Sequence, residues 1–146
     1  MATLEYRLLD EAGDYPVLYS YPDIDPGEVA ARFGCDSFIK AGKVYEKTST
    51  ALEPLTYVVY VKETGRAQPA AAAEPAGRGV RLEIRQDWEG ENPGLLVEKR
   101  DFTDALDLVI FLAGDYFYWL GEEWLKTMTV LDEDRKVYIY YAKKTG

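Results

Sequence analysis

Two lysines lie at the same position of an eleven-residue motif that occurs twice in the chain. The first copy runs from Gly42 to Leu52 and the second from Gly121 to Leu131, with the shared pattern G-x-x-(Tyr/Trp)-x-K-T-x-T-x-L. In a strand, Lys47 and Lys126 each point away from the two threonines of their own copy. If the copies meet at a pseudo-twofold axis, these lysines bind an anionic ligand there. The alternative is structural, because threonine favours β-structure and a lysine stem covers apolar surface.

Aromatic residues are the second group that could form a binding site, since the chain has 12 tyrosines and 3 tryptophans. Exposed rings bind planar ligands, sugars or protein partners, whereas buried rings simply fill a core. We predict a site either at the junction of the two copies or on an aromatic patch of the second copy. Its candidate residues are Lys47, Lys126, Tyr45, Trp124, Trp119 and Tyr116.

Other reactive residue types are few. The chain has no histidine, which excludes Ser–His and Cys–His nucleophiles and zinc sites of the Cys/His type. Asp36 and Asp115 follow the two predicted helices and are either a symmetric carboxylate pair or turn-forming residues. Cys35 is interpreted as a small apolar residue at a helix end. We therefore predict no catalytic residue, no metal and no cofactor; an enzyme that uses carboxylates and lysine is the alternative.

The net charge of −9 is spread over the whole chain, with lysine and arginine interspersed among the acidic residues. Nucleic-acid binding is therefore not expected, because it needs clustered basic residues. An acidic mimic that occupies a basic site on another protein is a further alternative. The sequence shows no signal peptide and no apolar run long enough to span a membrane, and it has a single cysteine. These features predict a cytoplasmic protein without membrane contact.

The motif belongs to a longer internal repeat. The two copies are displaced by 79 positions, and the segment Tyr57–Val61 matches Val137–Tyr141 at an offset of 80. We predict a tandem duplication with unit 1 at residues 1–63, an Ala/Pro/Gly linker at 64–79 and unit 2 at 80–146. Because about 60 residues bury only a marginal core, both units should form one pseudo-twofold domain over residues 1–146.

Each unit is predicted to have the element order β-β-α-β-β, which gives an α+β fold with an antiparallel sheet and two helices. Asp25 and Asp104 are the expected helix N-caps, and Gly34 is expected to end the first helix in a left-handed conformation. The second helix is more apolar around its whole circumference and should be the better buried. Residues 36–42 are predicted to form a loop or a short irregular extension.

Shifting the repeat boundary by one strand gives the order βαβββ, which is similar to the paired units of the glyoxalase and bleomycin-resistance superfamily. Those units surround a pocket, and the enzymes among them use His and Glu as metal ligands. Because this chain has no histidine, the resemblance implies neither a metal nor an activity here.

The sequence therefore predicts a small cytosolic, non-enzymatic binding or interaction protein. Its partner is predicted to be either another protein or a small anionic or planar ligand. Homodimerisation through an open strand edge or an aromatic surface is also expected.

Overall fold

The computed structural model describes residues 2–67, 79–88 and 92–146, which form ten strands and two helices. The predicted linker at 64–79 lies mostly outside the described residues. The N-terminal half contains β1 (Thr3–Leu8), β2 (Val17–Tyr21), α1 (Pro26–Phe33), β3 (Ser37–Lys40), β4 (Lys43–Glu53) and β5 (Thr56–Arg66). The C-terminal half contains β6 (Val80–Gln86), β7 (Leu96–Phe102), α2 (Ala105–Ala113), β8 (Tyr116–Trp119), β9 (Glu122–Asp132) and β10 (Val137–Lys144).

All ten strands belong to one sheet in the order β2-β1-β5-β4-β3-β9-β10-β6-β7, and β8 also pairs with β9. The fold is α+β as predicted, but the sheet is mixed, so the prediction of an antiparallel sheet is wrong. β1 runs parallel to β5, β6 to β10 and β3 to β9. In β1/β5 and β6/β10 a connection that contains a helix separates the two paired strands of one half, whereas β3/β9 joins strands of different halves. β6 lies beside β10 in its own half, so the shift of the repeat boundary by one strand does not describe this sheet.

A short strand follows each helix: β3 lies where a loop or irregular extension was predicted at 36–42, and β8 is formed by the aromatic residues after α2. β3 is joined to β4 by Ala41 and Gly42, whose φ angles are 53° and 73°, and Leu120 and Gly121 join β8 to β9 with φ angles of 50° and 78°. Positive φ at both central residues is the geometry of a two-residue type I′ hairpin turn. The motif glycine therefore ends a turn, and each half has the order β-β-α-β-β-β rather than β-β-α-β-β.

The strand ladders show which positions of the two halves are equivalent. Tyr45 lies opposite Phe38 on β3, and Trp124 lies opposite Phe117 on β8, in agreement with the offset of 79. Tyr57 on β5 lies opposite Leu52, and Tyr138 on β10 lies opposite Leu131, the equivalent leucine of the second motif. The offset between the final strands is therefore 81 rather than 80. The shift follows from the turns, since two residues separate β4 from β5 and four separate β9 from β10.

Both helices pack on the same face of the sheet. The Asp25 carboxylate accepts hydrogen bonds from the Gly27 and Glu28 amides, and the Asp104 carboxylate accepts one from Leu106, which confirms both N-caps. Gly34 has φ −78° and ψ −7°, so the prediction of a left-handed residue is wrong. The last turn of α1 is stabilised instead by hydrogen bonds from the Gly34 and Cys35 amides to carbonyls of α1.

The prediction that α2 is the better buried helix is also wrong. Leu108 and Leu112 are 2% and 1% exposed, but Leu106 and Ile110 on its other side are 63% and 60% exposed. α2 contacts the sheet along one stripe only, because no strand lies against its outer face in the described part of the chain. Neither described helix has the length and apolar character needed to cross a membrane.

The halves are joined by the parallel pair of β3 and β9, where Asp36 and Thr129 form a compact set of hydrogen bonds. The Thr129 amide donates to Asp36 Oδ2 at 2.9 Å, and Thr129 Oγ1 lies 3.0 Å from the Gly34 carbonyl and 3.2 Å from Asp36 Oδ2. The Asp36 amide donates to the Thr129 carbonyl at 2.8 Å. Thr129 is only 1% exposed, so its amide and hydroxyl depend on these protein partners rather than on water.

We expect Thr129→Val to lower the free energy of unfolding by about 1–3 kcal/mol, because it removes a buried hydroxyl together with its hydrogen bonds to Gly34 and Asp36. The measurement is urea unfolding followed by circular dichroism. Thr50→Val is the matched control, since Thr50 holds the same motif position in an exposed site. It should change stability by less than about 0.5 kcal/mol. Equal effects at the two positions would contradict the assigned role of Thr129.

A buried ion pair on the opposite face of the sheet gives a pH-dependent test. Glu83 is 2% exposed, and its two carboxylate oxygens each accept a hydrogen bond of 3.0 Å from Arg135. Burial alone would raise the pKa of Glu83, but the hydrogen bonds from Arg135 and Arg85 outweigh burial and lower it. A carboxyl with a lowered folded pKa stabilises the fold above its unfolded pKa, and the contribution is lost as the pH falls through the folded pKa.

Glu83→Gln should therefore cost about 3 kcal/mol at neutral pH, and its cost should shrink as the pH falls below about 4. Urea unfolding at several pH values measures this difference. Glu53→Gln, which breaks an exposed pair with Arg7, should have little effect at any pH. A cost for Glu83→Gln that does not change with pH would contradict the lowered pKa.

Candidate functional site

A cavity of about 620 Å³ lies where the two halves meet, bordered by the N-terminal ends of both helices and by β9 and β10. Volumes of this size are typical of small-molecule sites. Apolar side chains line much of its wall: Ala31, Val80, Phe102, Ala105, Leu108 and Leu131.

The cavity forms because the helix N-termini approach each other closely. A Cβ atom added at Gly27 would lie 2.6 Å from the Ala105 Cβ, so only glycine allows this approach. Gly79 has φ +77°, and a Cβ atom there would lie 1.9 Å from the Phe102 carbonyl oxygen. The two glycines thus bring α1, α2 and the start of β6 together around the cavity.

One polar wall of the cavity is a network centred on Glu133. Its carboxylate accepts hydrogen bonds from the Tyr21 hydroxyl at 2.5 Å and from Lys40 Nζ at 3.3 Å, and it lies 3.8 Å from Arg32 Nη1. Arg32 is 6% exposed, stacks on the Tyr21 ring and donates to Glu28. Burial would lower the pKa of Lys40, but its contacts with Tyr21 and Glu133 raise it, so Lys40 stays charged.

Every carboxylate that lines the cavity already has a donor within the protein. Glu28 is bound by Arg32, and Glu133 by Tyr21 and Lys40. The remaining carboxylates accept hydrogen bonds from backbone amides; they are Asp25, Asp104 and Asp134. Arg32 and Lys40, the two cations of this network, therefore already have acidic partners within the protein.

Two donors in the same cavity are left over. Lys136, in the turn between β9 and β10, is exposed and makes no ion pair with any described residue. Tyr138 on β10 is 5% exposed, and its hydroxyl makes no hydrogen bond with the described residues. Burial is the largest effect on the pKa of Tyr138 and raises it, so the hydroxyl keeps its proton. Lys136 and the Tyr138 hydroxyl are thus two hydrogen-bond donors of the cavity that no described residue engages.

The two motif lysines lie at the C-terminal ends of the helices instead. Lys47 Nζ donates to the Phe33 carbonyl at 2.7 Å, and Lys126 Nζ donates to the Leu112 carbonyl at 2.9 Å. A cation there satisfies a free helix carbonyl and is favoured by the helix dipole. Neither lysine lines the cavity between the helix N-termini.

The aromatic candidates divide into buried and exposed residues. Tyr45 and Trp124 are 4% and 3% exposed, and Trp124 stacks on Phe117 with ring centroids 6.0 Å apart. Trp119 packs against the same core, whereas Tyr116 is 57% exposed on β8. None of these four lines the cavity either. A ligand role for the six candidate residues stays a prediction, while five of them have clear packing or capping contacts.

The remaining reactive residues are also placed by packing. Burial raises the pKa of the Cys35 thiol to about 12, and the thiol donates to the Ala31 carbonyl. Asp36 accepts a hydrogen bond from the Thr129 amide. The equivalent Asp115 is 76% exposed, and its ion-pair partner among the described residues is Lys126, at 3.8 Å. Within the described residues, no three His, Cys, Asp or Glu side chains are grouped as metal ligands would be.

Comparison of the chain with protein-family models, with curated proteins and with solved structures finds no match. The interpretation of the site therefore depends on its own geometry. The sequence gives no indication that Lys136 and Tyr138 line a cavity. Lys136 follows an acidic turn and Tyr138 lies in a β-prone segment, and neither pattern shows which distant residues will be nearby. The glycine at position 27, directly after a proline at the helix start, is the one signal of a close approach.

We expect Lys47→Met and Lys126→Met each to lower the free energy of unfolding by about 1 kcal/mol, because each removes a hydrogen bond to a helix carbonyl. Methionine keeps the apolar stem, and urea unfolding measures the loss. Lys62→Met is the control, because Lys62 is exposed and its ion pair with Glu46 is a long one of 3.8 Å. A motif lysine that can be replaced without loss of stability would be available for another role.

Proposed function

We propose that the protein is a small non-enzymatic binding protein that holds a small amphiphilic anion in the cavity between the helix N-termini. Lys136 and the Tyr138 hydroxyl bind the anionic group, and the apolar wall formed by Val80, Phe102, Leu108 and Leu131 contacts the body of the ligand. A cytoplasmic location remains part of this proposal.

One observation supports an anion above all others. Each carboxylate of the cavity accepts at least one hydrogen bond within the protein, whereas the Lys136 ammonium and the Tyr138 hydroxyl make no hydrogen bond or ion pair with the described residues. A ligand with hydrogen-bond acceptors is complementary to these two donors.

We also infer that the two halves derive from a tandem duplication and together form one pseudo-twofold domain. Three features support this: the repeated motif, the shared element order, and a cation–aromatic contact whose partners are exchanged. Arg32 on α1 lies over Tyr21 on β2, whereas in the C-terminal half Arg100 on β7 lies over Phe111 on α2. Both pairs occupy equivalent positions, and the contact is kept although each residue type has changed place.

An enzyme that uses carboxylates and lysine is the second candidate. Glu28, Glu133 and Lys40 are the groups it would use in this cavity. All three are bound to one another or to Arg32 and Tyr21. A general base must be free to accept a proton from a substrate, so the arrangement supports binding more than catalysis.

The proposal is tested by titrating simple carboxylates with an aliphatic or aromatic body against the protein, first by thermal shift and then by calorimetry. A ligand that binds only the folded state raises the melting temperature. We expect Tyr138→Phe to weaken binding of the best carboxylate by about tenfold, because one hydrogen bond is lost. Lys136→Met should weaken it by a similar factor, and corresponding amines or neutral alcohols should bind worse than the carboxylate.

Tyr140→Phe is the matched control. The Tyr140 hydroxyl donates to the Gly114 carbonyl at 2.7 Å, so its loss should cost about 1 kcal/mol of stability and leave carboxylate binding unchanged. Tyr138→Phe should leave stability nearly unchanged, because its hydroxyl has no partner among the described residues. Tighter binding of the amines than of the carboxylates would refute the proposed ligand class.

A further inference from the structure

The strands that join the two halves have equivalents elsewhere in the chain that do not pair with each other. At the junction in use, β3 pairs in parallel with the C-terminal part of β9, with Ser37 opposite Val130 and Phe38 opposite Leu131. The equivalent strands are β8 and β4. β8 pairs with β9 only, and no described strand pairs with the outer edge of β4 beyond Glu46.

The residues that close the first junction have counterparts at the second, and these are exposed. Leu131 is 5% exposed, whereas the equivalent Leu52 is 75% exposed. Ala31 on α1 is 1% exposed, whereas the equivalent Ile110 on α2 is 60% exposed. Apolar side chains at these positions are thus present without the strand that would cover them.

The hydrogen-bonding pair of the junction is also duplicated. Asp36 and Thr129 bond each other across β3 and β9. Their equivalents Asp115 and Thr50 are both exposed. Asp115 therefore has the side chain needed to bond the Thr50 amide and hydroxyl, but the two strands are not paired within this chain.

Nothing on the β8 edge prevents it from pairing. Its four residues are Tyr116, Phe117, Tyr118 and Trp119, with neither the proline nor the lysine that commonly protects an edge strand. Tyr116 and Tyr118 are 57% and 71% exposed, and Leu120 in the next turn is 83% exposed. An aromatic, uncharged edge of this kind is a template for another strand.

We propose that β8 of one copy of this chain docks in parallel on β4 of a second copy, and that the two copies make this contact reciprocally. The register follows from the first junction: Tyr116 lies opposite Ala51, Phe117 opposite Leu52, and Asp115 bonds Thr50. A second copy is the occupant because this chain itself carries both sides of the contact. Reciprocal contacts close the assembly as a dimer, whereas a contact made once per copy would extend it without limit.

The test uses two single-cysteine variants, Thr50→Cys and Asp115→Cys. Adjacent strands are about 4.8 Å apart, which suits a disulfide, and the native Cys35 is buried. Mixing the variants in a thiol–disulfide buffer should give a covalent dimer, while each variant alone should not. A mixture of Leu9→Cys with Asp115→Cys is the control, because Leu9 is 49% exposed and follows β1, which pairs with neither β4 nor β8.

The mass of the native protein gives an independent measurement. Light scattering after size exclusion should show twice the chain mass of 16.6 kDa, and Leu52→Lys should shift the protein to the monomer while Leu9→Lys does not. Three results would overturn the proposal: a monomer at millimolar concentration, a mass that grows continuously with concentration, or a disulfide within one chain when both cysteines are present together. The last result would show that β4 closes on β8 of its own chain.

Discussion

The hydrogen bonds between Asp36 and Thr129 are the contact on which the architecture depends. They hold β3 against the second part of β9, and through this pair two five-stranded halves become one sheet. A unit of about 60 residues buries a marginal core by itself, so the junction supplies the shared core that neither half has alone. It also positions Ala31 of α1 beside Leu131 of β9, and thereby forms a wall of the cavity.

The repeated motif makes the same structural contacts in both halves. In each half the aromatic residue, Tyr45 or Trp124, is buried against the short strand before it, and the lysine bonds the last carbonyls of the helix. The ladders shift register at Thr48 and between Lys126 and Met128, at equivalent places. A bulge of this kind turns the strand locally. The motif thus specifies how a strand, a hairpin and a helix end fit together, which is a structural reason for its occurrence in both halves.

The functional asymmetry arises where the two halves differ. The turn after β9 is two residues longer than the turn after β4, and it carries Glu133, Asp134 and Lys136 to the cavity. The turn after β4 carries only Pro54 and Leu55. The longer turn therefore adds polar groups to the cavity, whereas the short turn follows a strand whose edge is exposed. The proposed ligand site and the proposed self-association therefore use two different junctions of the chain.

The sequence alone determined the local features of this protein. The α+β class and the N-caps Asp25 and Asp104 were predictable, because capping and strand periodicity depend on residues close in the chain. The parallel pairs, the exposure of Ile110 and the partners of Lys47 and Lys126 were decided by tertiary structure. The reason is that strand direction, burial and side-chain contacts depend on which distant segments meet. Lys136 and Tyr138 acquire their significance in the same way, since only the approach of α1 to α2 at Gly27 encloses the cavity that both residues line.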